Sequence, residues 1–354
     1  MSNKPFEIGL YTFVELTPDP ATGEKMTAHQ RVQNLIAEAE LADQVGLDVF
    51  AIGEHHREEF VASAPEVLLG TIAGRTENIR LSSAVTVLSS DDPVRVFQRF
   101  ASLDLASNGR AEIIAGRGSF IESFPLFGYD LNDYNELFSE KLDLLKLIRE
   151  DEFVTWEGEH RASLDKAGVY PRPLQDELPI WVGVGGTPES VVRAASRGLP
   201  MALAIIGGMP ERFRSFTDLY RRAAAQYGYH DLPLSVNSHG FIADSKEQAI
   251  EESFLPTKTA MDKIGRERGW QPMRREQYVA SADLRGANFV GSPDDIIEKI
   301  LFQHEIFGHQ RLLLQLSVGT MPHDKIMHAI ELLGTKVAPV VREEIAKREA
   351  TPTT

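Results

Sequence analysis

Pro179-Ile180-Trp181-Val182-Gly183-Val184-Gly185-Gly186-Thr187-Pro188-Glu189-Ser190-Val191-Val192-Arg193-Ala194-Ala195-Ser196-Arg197 reads as a strand, a glycine loop and a helix in one continuous stretch. Ile180-Trp181-Val182 is a short unbroken apolar run, the pattern of a parallel strand buried on both faces. Thr187 stands where a helix N-cap is expected, and Pro188 fits the first helical position. Gly183-Val184-Gly185 begins the G-x-G-x-x-G pattern of dinucleotide-binding sheets, but its sixth place is Pro188. Gly116-Arg117-Gly118 begins another, and its sixth place is Ile121. The open doubly wound sheet therefore lacks its fingerprint, and the unit is better read as one segment of a closed ring.

The same rhythm runs outward in both directions. Upstream, strands are predicted at 6–14, 49–53, 80–88 and 111–115, and helices at 27–45, 65–75, 93–106 and 134–149. Leu35, Ala39 and Ala42 fall on one face of the first helix, at i, i+4 and i+7. Downstream, strands are predicted at 201–206, 234–243 and 311–317, with helices at 188–197, 211–227, 245–261, 293–307 and 323–347. About eight strands, nearly every one followed by a helix, predict an α/β fold: a (β/α)8 TIM barrel. Residues 151–178 and 262–289 break the rhythm and read as insertions in a single domain spanning 1–348, with 349–354 as a frayed tail.

Composition narrows the function. The 354 residues carry a formal net charge of −15, which argues against nucleic acid and against an anionic membrane surface. There is no cysteine, so disulfides, zinc–thiolate sites, iron–sulfur clusters and cysteine nucleophiles are excluded. Residues 1–7 show no apolar signal segment, and no apolar run approaches a membrane span. These features read as a cytoplasmic protein. An anionic ligand would have to be held by local positive groups against the overall charge.

In a barrel the site is built from loops that follow the strands. Gly53-Glu54-His55-His56 closes the second strand. It reads as a catalytic or binding histidine, as two loop histidines bonded to backbone, or as a metal site through Glu54 and His56, for which no third ligand stands at a suggestive spacing. Gly116-Arg117-Gly118 closes the fourth strand and pairs exposed N–H groups with a fixed charge, which suits a phosphate or a plain solvated turn. Gly185, Gly186, Thr187 and Ser190 open the helix after the fifth strand, whose N-terminus offers N–H groups to an anion or is simply well capped. In a barrel the fourth and fifth strands are neighbours, so the two loops could form one cradle. The small residues of Ser82-Ser83-Ala84-Val85-Thr86 leave room for a flat ring or pack as ordinary barrel wall.

These pieces occur in an order that resembles the luciferase-like flavin-dependent monooxygenases, which include bacterial luciferase and the alkanesulfonate monooxygenases. The likeness rests on Ala51 to His56 with Phe60, Leu81 to Leu88, Asp92-Pro93-Val94-Arg95, Ser107-Asn108-Gly109-Arg110, Gly116-Arg117-Gly118, Gly185 to Ser190 and Met321-Pro322-His323. It covers almost the whole chain and loosens in the two insertions. The resemblance implies a (β/α)8 barrel and FMN, or in some branches the deazaflavin F420. It implies that His55 is the active-site histidine beside the reacting edge of the flavin. The Ala84–Val85 bond would be a non-proline cis peptide under the ring, with Thr86 following it. Arg117 would hold the phosphate from one side, and Gly186, Thr187 and Ser190 from the other. Bacterial luciferase has a Cys where this chain has Gly116, and an acidic residue where it has Gly186, so aldehyde oxidation and light emission are not implied.

The activity implied is monooxygenation of a small organic substrate by reduced FMN and O2, with a separate flavin reductase as partner and a homodimer formed through barrel helices. An F420-dependent oxidoreductase on the same barrel and a flavin-binding protein without turnover are the rival expectations. No metal is expected.

Overall fold

The architecture is that of a computed structural model, in which residues 5–350 are described. Eight parallel strands form the barrel: β1 (Glu7–Thr12), β2 (Val49–Ile52), β3 (Arg80–Ser83), β4 (Ala111–Gly116), β5 (Ile180–Val184), β6 (Met201–Ala204), β7 (Leu234–Ile242) and β8 (Arg311–Gln315). Each pairs with its successor, and β8 pairs with β1 through Glu7 opposite Arg311, so the sheet closes. The helices around it are α1 (Ala28–Gln44), α2 (Pro65–Ala73), α3 (Pro93–Ala106), α4 (Tyr134–Glu150), α5 (Pro188–Ser196), α6 (Arg214–Gln226), α7 (Lys246–Arg268) and α8 (Pro293–Phe307). The predicted TIM barrel is the fold found.

Strand residues alternate between two cores, as the pleat requires. Outward residues such as Ile8, Leu10, Phe50, Leu81 and Ile113 pack under the helices, where Leu35, Ala39 and Ala42 of α1 are fully buried. Inward residues Val49, Ala51, Ile114, Trp181, Ala202 and Leu313 fill the barrel axis. At the lower end Arg311 closes the barrel, donating to Glu112 at 2.6 and 3.2 Å and to Glu7 at 2.7 Å, with its guanidinium 4.3 Å from the Trp181 ring centre.

The structure differs from the sequence reading at several elements. The predicted strand 80–88 is broken at Ala84–Val85, whose peptide bond is cis, and resumes at Thr86–Val87 beside β4. Residues 151–178 contain an antiparallel hairpin, Phe153–Trp156 with Leu164–Gly168. The helix predicted to stop at Met261 runs two turns further to Arg268, and a second helix spans Arg275–Ala282. Those turns are polar because their outer face meets solvent, which hides the helical period. A short helix at Ser123–Phe127 was not anticipated. The terminal helix is interrupted by a π-helical turn at Leu333–Val337 and continues to Ala350, so Glu349 and Ala350 of the predicted tail are helical while 351–354 lie outside the described residues. Among the described residues, no helix is long and apolar enough to cross a membrane.

One buried residue below the barrel makes stability depend on pH. His309 is fully buried against Phe6, Phe307 and His304, and among the described residues neither ring nitrogen has a hydrogen-bond partner. Burial, then the neighbouring His304 and Arg221, holds its pKa well below the histidine range. The unfolded chain takes up a proton below about pH 6.5 that the folded chain refuses, so stability present above that pH is lost as pH falls. Between pH 7 and 5 this one residue should cost about 2 kcal/mol. Urea unfolding of His309→Phe at both pH values should show that much less acid sensitivity than the parent; an equal pH dependence would contradict it.

Candidate active site

The loops at the upper, C-terminal ends of the strands enclose a cavity of about 470 Å³. Its walls include His55 after β2, Ala84 and Val85 after β3, Arg117 after β4 and Gly185 after β5. Five of the predicted site residues thus share one chamber. Thr187 and Ser190 join it from behind through Arg117, while Gly186 and Thr86 do not line it. Thr86 is almost wholly buried, and its hydroxyl has no hydrogen-bond partner among the described residues.

The step at Ala84–Val85 is held by its neighbour strand. Glu54 N donates to Val85 O at 3.1 Å, and Glu54 Oε2 accepts from Val87 N at 2.8 Å, so one residue grips both sides of Val85. The other carboxylate oxygen is 2.7 Å from His56 Nε2. The shared face of Glu54 and His56, which suggested a metal, is spent on this pair. On β4, Ser83 Oγ donates to Ile114 O at 3.3 Å and accepts from Ile114 N at 3.1 Å, which replaces the ladder where β3 breaks.

Gly116 makes the room for Val85. A Cβ at position 116 would stand 2.5 Å from Val85 Cγ2 and 2.8 Å from Val85 Cβ. This explains why no side chain precedes Arg117. Gly116→Ala should cost about 1–3 kcal/mol by overpacking a branched side chain that cannot swing away. Adding Val85→Ala should recover most of the loss in urea unfolding. A double variant no better than the single would contradict the collision.

His55 is buried among rings, with centroids 4.4 Å from Phe13, 4.6 Å from Phe60 and 4.7 Å from Phe120. Its backbone N donates to Ala62 O at 3.0 Å, and among the described residues its ring has no hydrogen-bond partner. Burial, helped by His56 and Arg57, drops its pKa to about 3. The imidazole is therefore neutral at physiological pH.

The phosphate-like side is assembled from three elements. Arg117 donates to Ser190 Oγ and to Asn135 Oδ1, at 2.8 Å each, and sits over the Tyr134 ring at 5.1 Å. Tyr134 OH donates to Gly118 O at 2.6 Å and fixes the turn after β4. Thr187 occupies the N-cap of α5, but its hydroxyl bonds Ser190 Oγ at 2.8 Å and makes no cap bond. That leaves the α5 N-terminus without a side-chain cap: Pro188 has no N–H, and Ser190 N and Val191 N donate to Thr187 O at 3.1 and 3.2 Å. Gly186 has φ +102°, a conformation suited to glycine, and nothing lies within 4 Å of where a Cβ on Gly185 would be. A helix N-terminus without a side-chain cap, beside an arginine that has no carboxylate partner among the described residues, fits a phosphate group.

Several lining residues escaped the sequence reading. Tyr11, Glu15, Asn237, His239 and Gln315 line the cavity from β1, β7 and β8 and the loops that follow them. Val14, a β-branched residue at φ +56°, turns the chain after β1 just before Glu15. Glu15 accepts from Gln315 Nε2 at 2.6 Å, Ser317 Oγ at 2.9 Å and Thr12 Oγ1 at 3.2 Å. Burial raises its pKa, against the pull of Arg31 and these donors. Burial lowers that of His239 to about 4. The signal available in sequence was polar residues set within or at the end of an apolar strand, as in Asn237 to His239 inside β7 and Gln315 to Ser317 at the end of β8.

The end of α7 roofs the chamber with Met261, Lys263, Ile264, Arg268 and Trp270 beyond it. Phe120 lies between two guanidiniums, 4.8 Å from Arg57 and 5.4 Å from Arg268. Arg57 bonds Glu267, Lys263 pairs with Glu59, and Arg268 donates to Ser119 O at 3.0 Å. These contacts tie the roof to the loops after β2 and β4.

Known proteins resemble the chain in sequence and in fold. Residues 6–310 match the model of a family described as luciferase-like monooxygenase. The 4-hydroxyprotoasukamycin monooxygenase of Streptomyces nodosus subsp. asukaensis is 29% identical over 322 residues, covering 85% of this chain and 84% of that protein. Among solved structures, the fold is similar to the oxygenating constituent of 3,6-diketocamphane monooxygenase from Pseudomonas putida, a type II Baeyer-Villiger monooxygenase in complex with FMN. The TM-score is 0.74 at 22% identity, over 95% of this chain and 99% of that one. An F420-dependent secondary alcohol dehydrogenase in complex with an F420–acetone adduct is similar at TM-score 0.71 and 17% identity, over 96% of this chain and 99% of that one. At these identities the two structures speak to the fold.

Proposed function

The chain belongs to the luciferase-like monooxygenase family, an oxidoreductase family, and from that premise we propose that it binds FMN in the cavity above the barrel and oxygenates a small organic substrate. The observation that carries this reading is the Arg117–Ser190 bond, which joins the two loops into one anion cradle opening on an apolar chamber. Reduced FMN reacting with O2 supplies the oxidising chemistry. A separate flavin reductase as its source, and a homodimer through barrel helices, belong to the same proposal.

The chain's own residues have three tasks. Arg117, Ser190, Thr187 and the start of α5 hold the phosphate, with Gly185 and Gly186 letting it approach the backbone. Ala84 and Val85, gripped by Glu54, present a flat wall for the ring. Phe60, Phe120, Met261, Ile264 and Trp270 keep water from the space left for the substrate. Neutral His55 offers one N–H donor and one ring-nitrogen acceptor to that space and can hold a proton in a hydrogen bond without taking up charge.

Replacing His55 with Ala should leave FMN affinity within about twofold, since no phosphate contact is lost, while lowering turnover about 10²- to 10⁴-fold, as for loss of a positioned proton-handling group. Because the His55 pKa is about 3, the rate–pH profile between 5 and 8 should carry no limb that His55→Ala removes. Unchanged turnover in the variant would contradict the role.

The F420 alternative has one observation behind it, the similar barrel of the F420-dependent dehydrogenase. Supplying the protein with reduced FMN, 18O2 and a panel of small organic compounds separates the two. A product carrying one 18O atom supports the monooxygenase. Hydride transfer from reduced F420 to a carbonyl compound, with no labelled product, would favour the dehydrogenase.

A further inference from the structure

Two guanidiniums stand on the phosphate side of the site, and neither has a carboxylate partner among the described residues. Arg117 spends its donors on Asn135 and Ser190. Arg193 lies three residues after Ser190 on α5, hence on the same helix face. Its Nε donates to Ser139 Oγ at 3.0 Å, its guanidinium packs on Phe138 at 5.6 Å, and its Nη1 is buried without a partner. Burial, then repulsion from Arg117 and Arg197, lowers its pKa, with Tyr134 and Glu189 pulling the other way.

The acids within reach do not cancel this charge. Asp143 of α4 is taken by Arg197, at 2.6 and 2.8 Å. Glu189 is exposed in the first turn of α5. Tyr134 lies close enough to feel both Arg117 and Arg193, but its hydroxyl proton is given to Gly118 O. A buried donor without an acceptor is costly, and two like charges with no acid between them add to that cost. A doubly charged anion seated at Ser190 would relieve both.

Resting on the reading that this cavity holds a flavin, we propose that Arg193 is the second cation of the phosphate site. The pair of guanidiniums then selects a terminal phosphomonoester, as in FMN, over the singly charged phosphodiester of F420. A phosphomonoester loses its second proton near pH 6, whereas a diester has no second proton to lose. The selectivity should therefore grow as pH rises through about 6.

Flavin-free protein titrated with FMN, riboflavin and F420 at about pH 8 and about pH 5.5 tests this. The parent should prefer FMN to both others at pH 8, and less strongly at pH 5.5. Arg193→Gln should weaken FMN at least about tenfold at pH 8, leave riboflavin unchanged, and flatten the pH dependence. Arg193→Lys keeps the charge and should keep the pH-dependent preference. An Arg193→Gln variant with parental FMN affinity and pH dependence would overturn the proposal, as would parental F420 binding as tight as FMN. If the Gln variant loses riboflavin too, the Lys variant decides: preference kept supports the proposal, preference lost overturns it. Parental protein that binds none of the three would remove the reading of the cavity, and the proposal with it.

Discussion

Glu112→Ala should destabilise the protein by about 3–5 kcal/mol, the cost of breaking a buried ion pair from one side. Arg311 is buried to 3% exposure at the closed end of the barrel, and Glu112 to 1%. Burial alone would lower the Arg311 pKa; the carboxylates of Glu112 and Glu7 reverse that and hold it above the ordinary range. Without Glu112 the guanidinium keeps only Glu7, at 2.7 Å, and the Trp181 face. The site lies at the opposite end from the cavity, so flavin affinity should change little at temperatures where the variant stays folded. Replacing both partners, as in Glu112→Leu with Arg311→Met, should recover much of the loss, because the charges then left without these partners, Glu7 and Arg80, are partly exposed rather than buried. Urea unfolding of the singles and the double measures this. A single variant within about 1 kcal/mol of the parent would contradict the pair's role.

Arg117→Met should lower FMN affinity about a hundredfold and leave riboflavin affinity nearly unchanged. Arg117 is the one cation that lines the cavity on the phosphate side and bonds the helix that faces it. Its charge acts in a protein with net charge −15, so no general attraction can substitute for it. The variant also frees Ser190 and Asn135, whose hydroxyl and amide cannot replace a charged fork. The difference between FMN and riboflavin isolates the phosphate from the ring. Equal loss for both would place Arg117 under the ring, and no loss would remove it from the site.

The barrel was legible because its signals are local. Most strands are short apolar runs, most helices open on a cap or proline, and helices 93–106 and 293–307 begin and end where their Pro and their Gly or Asn signals put them. The cradle was legible for a similar reason: Arg117 between two glycines and Ser190 in a first helical turn are unusual in sequence, and barrel closure makes β4 and β5 neighbours. What the sequence did not reveal depends on long-range pairing. Arg311 and Glu112 are 199 residues apart, and no periodicity connects them. Glu15 meets Gln315 across 300 residues. The end of α7 read as an irregular insertion because a helix that roofs a cavity is polar outside and mixed inside, which blurs its period. His55 was legible as a strand-end histidine and lines the cavity, but its charge state was not legible, since burial among Phe13, Phe60 and Phe120 decides it.

The most direct test of the central claim is an anaerobic titration of the flavin-free protein with reduced FMN, followed by flavin fluorescence or calorimetry. The account predicts saturable binding of one FMN per chain, competed by oxidised FMN and sharply weakened by Arg117→Met. Absence of binding by reduced and oxidised FMN alike, in protein shown to be folded, would contradict it.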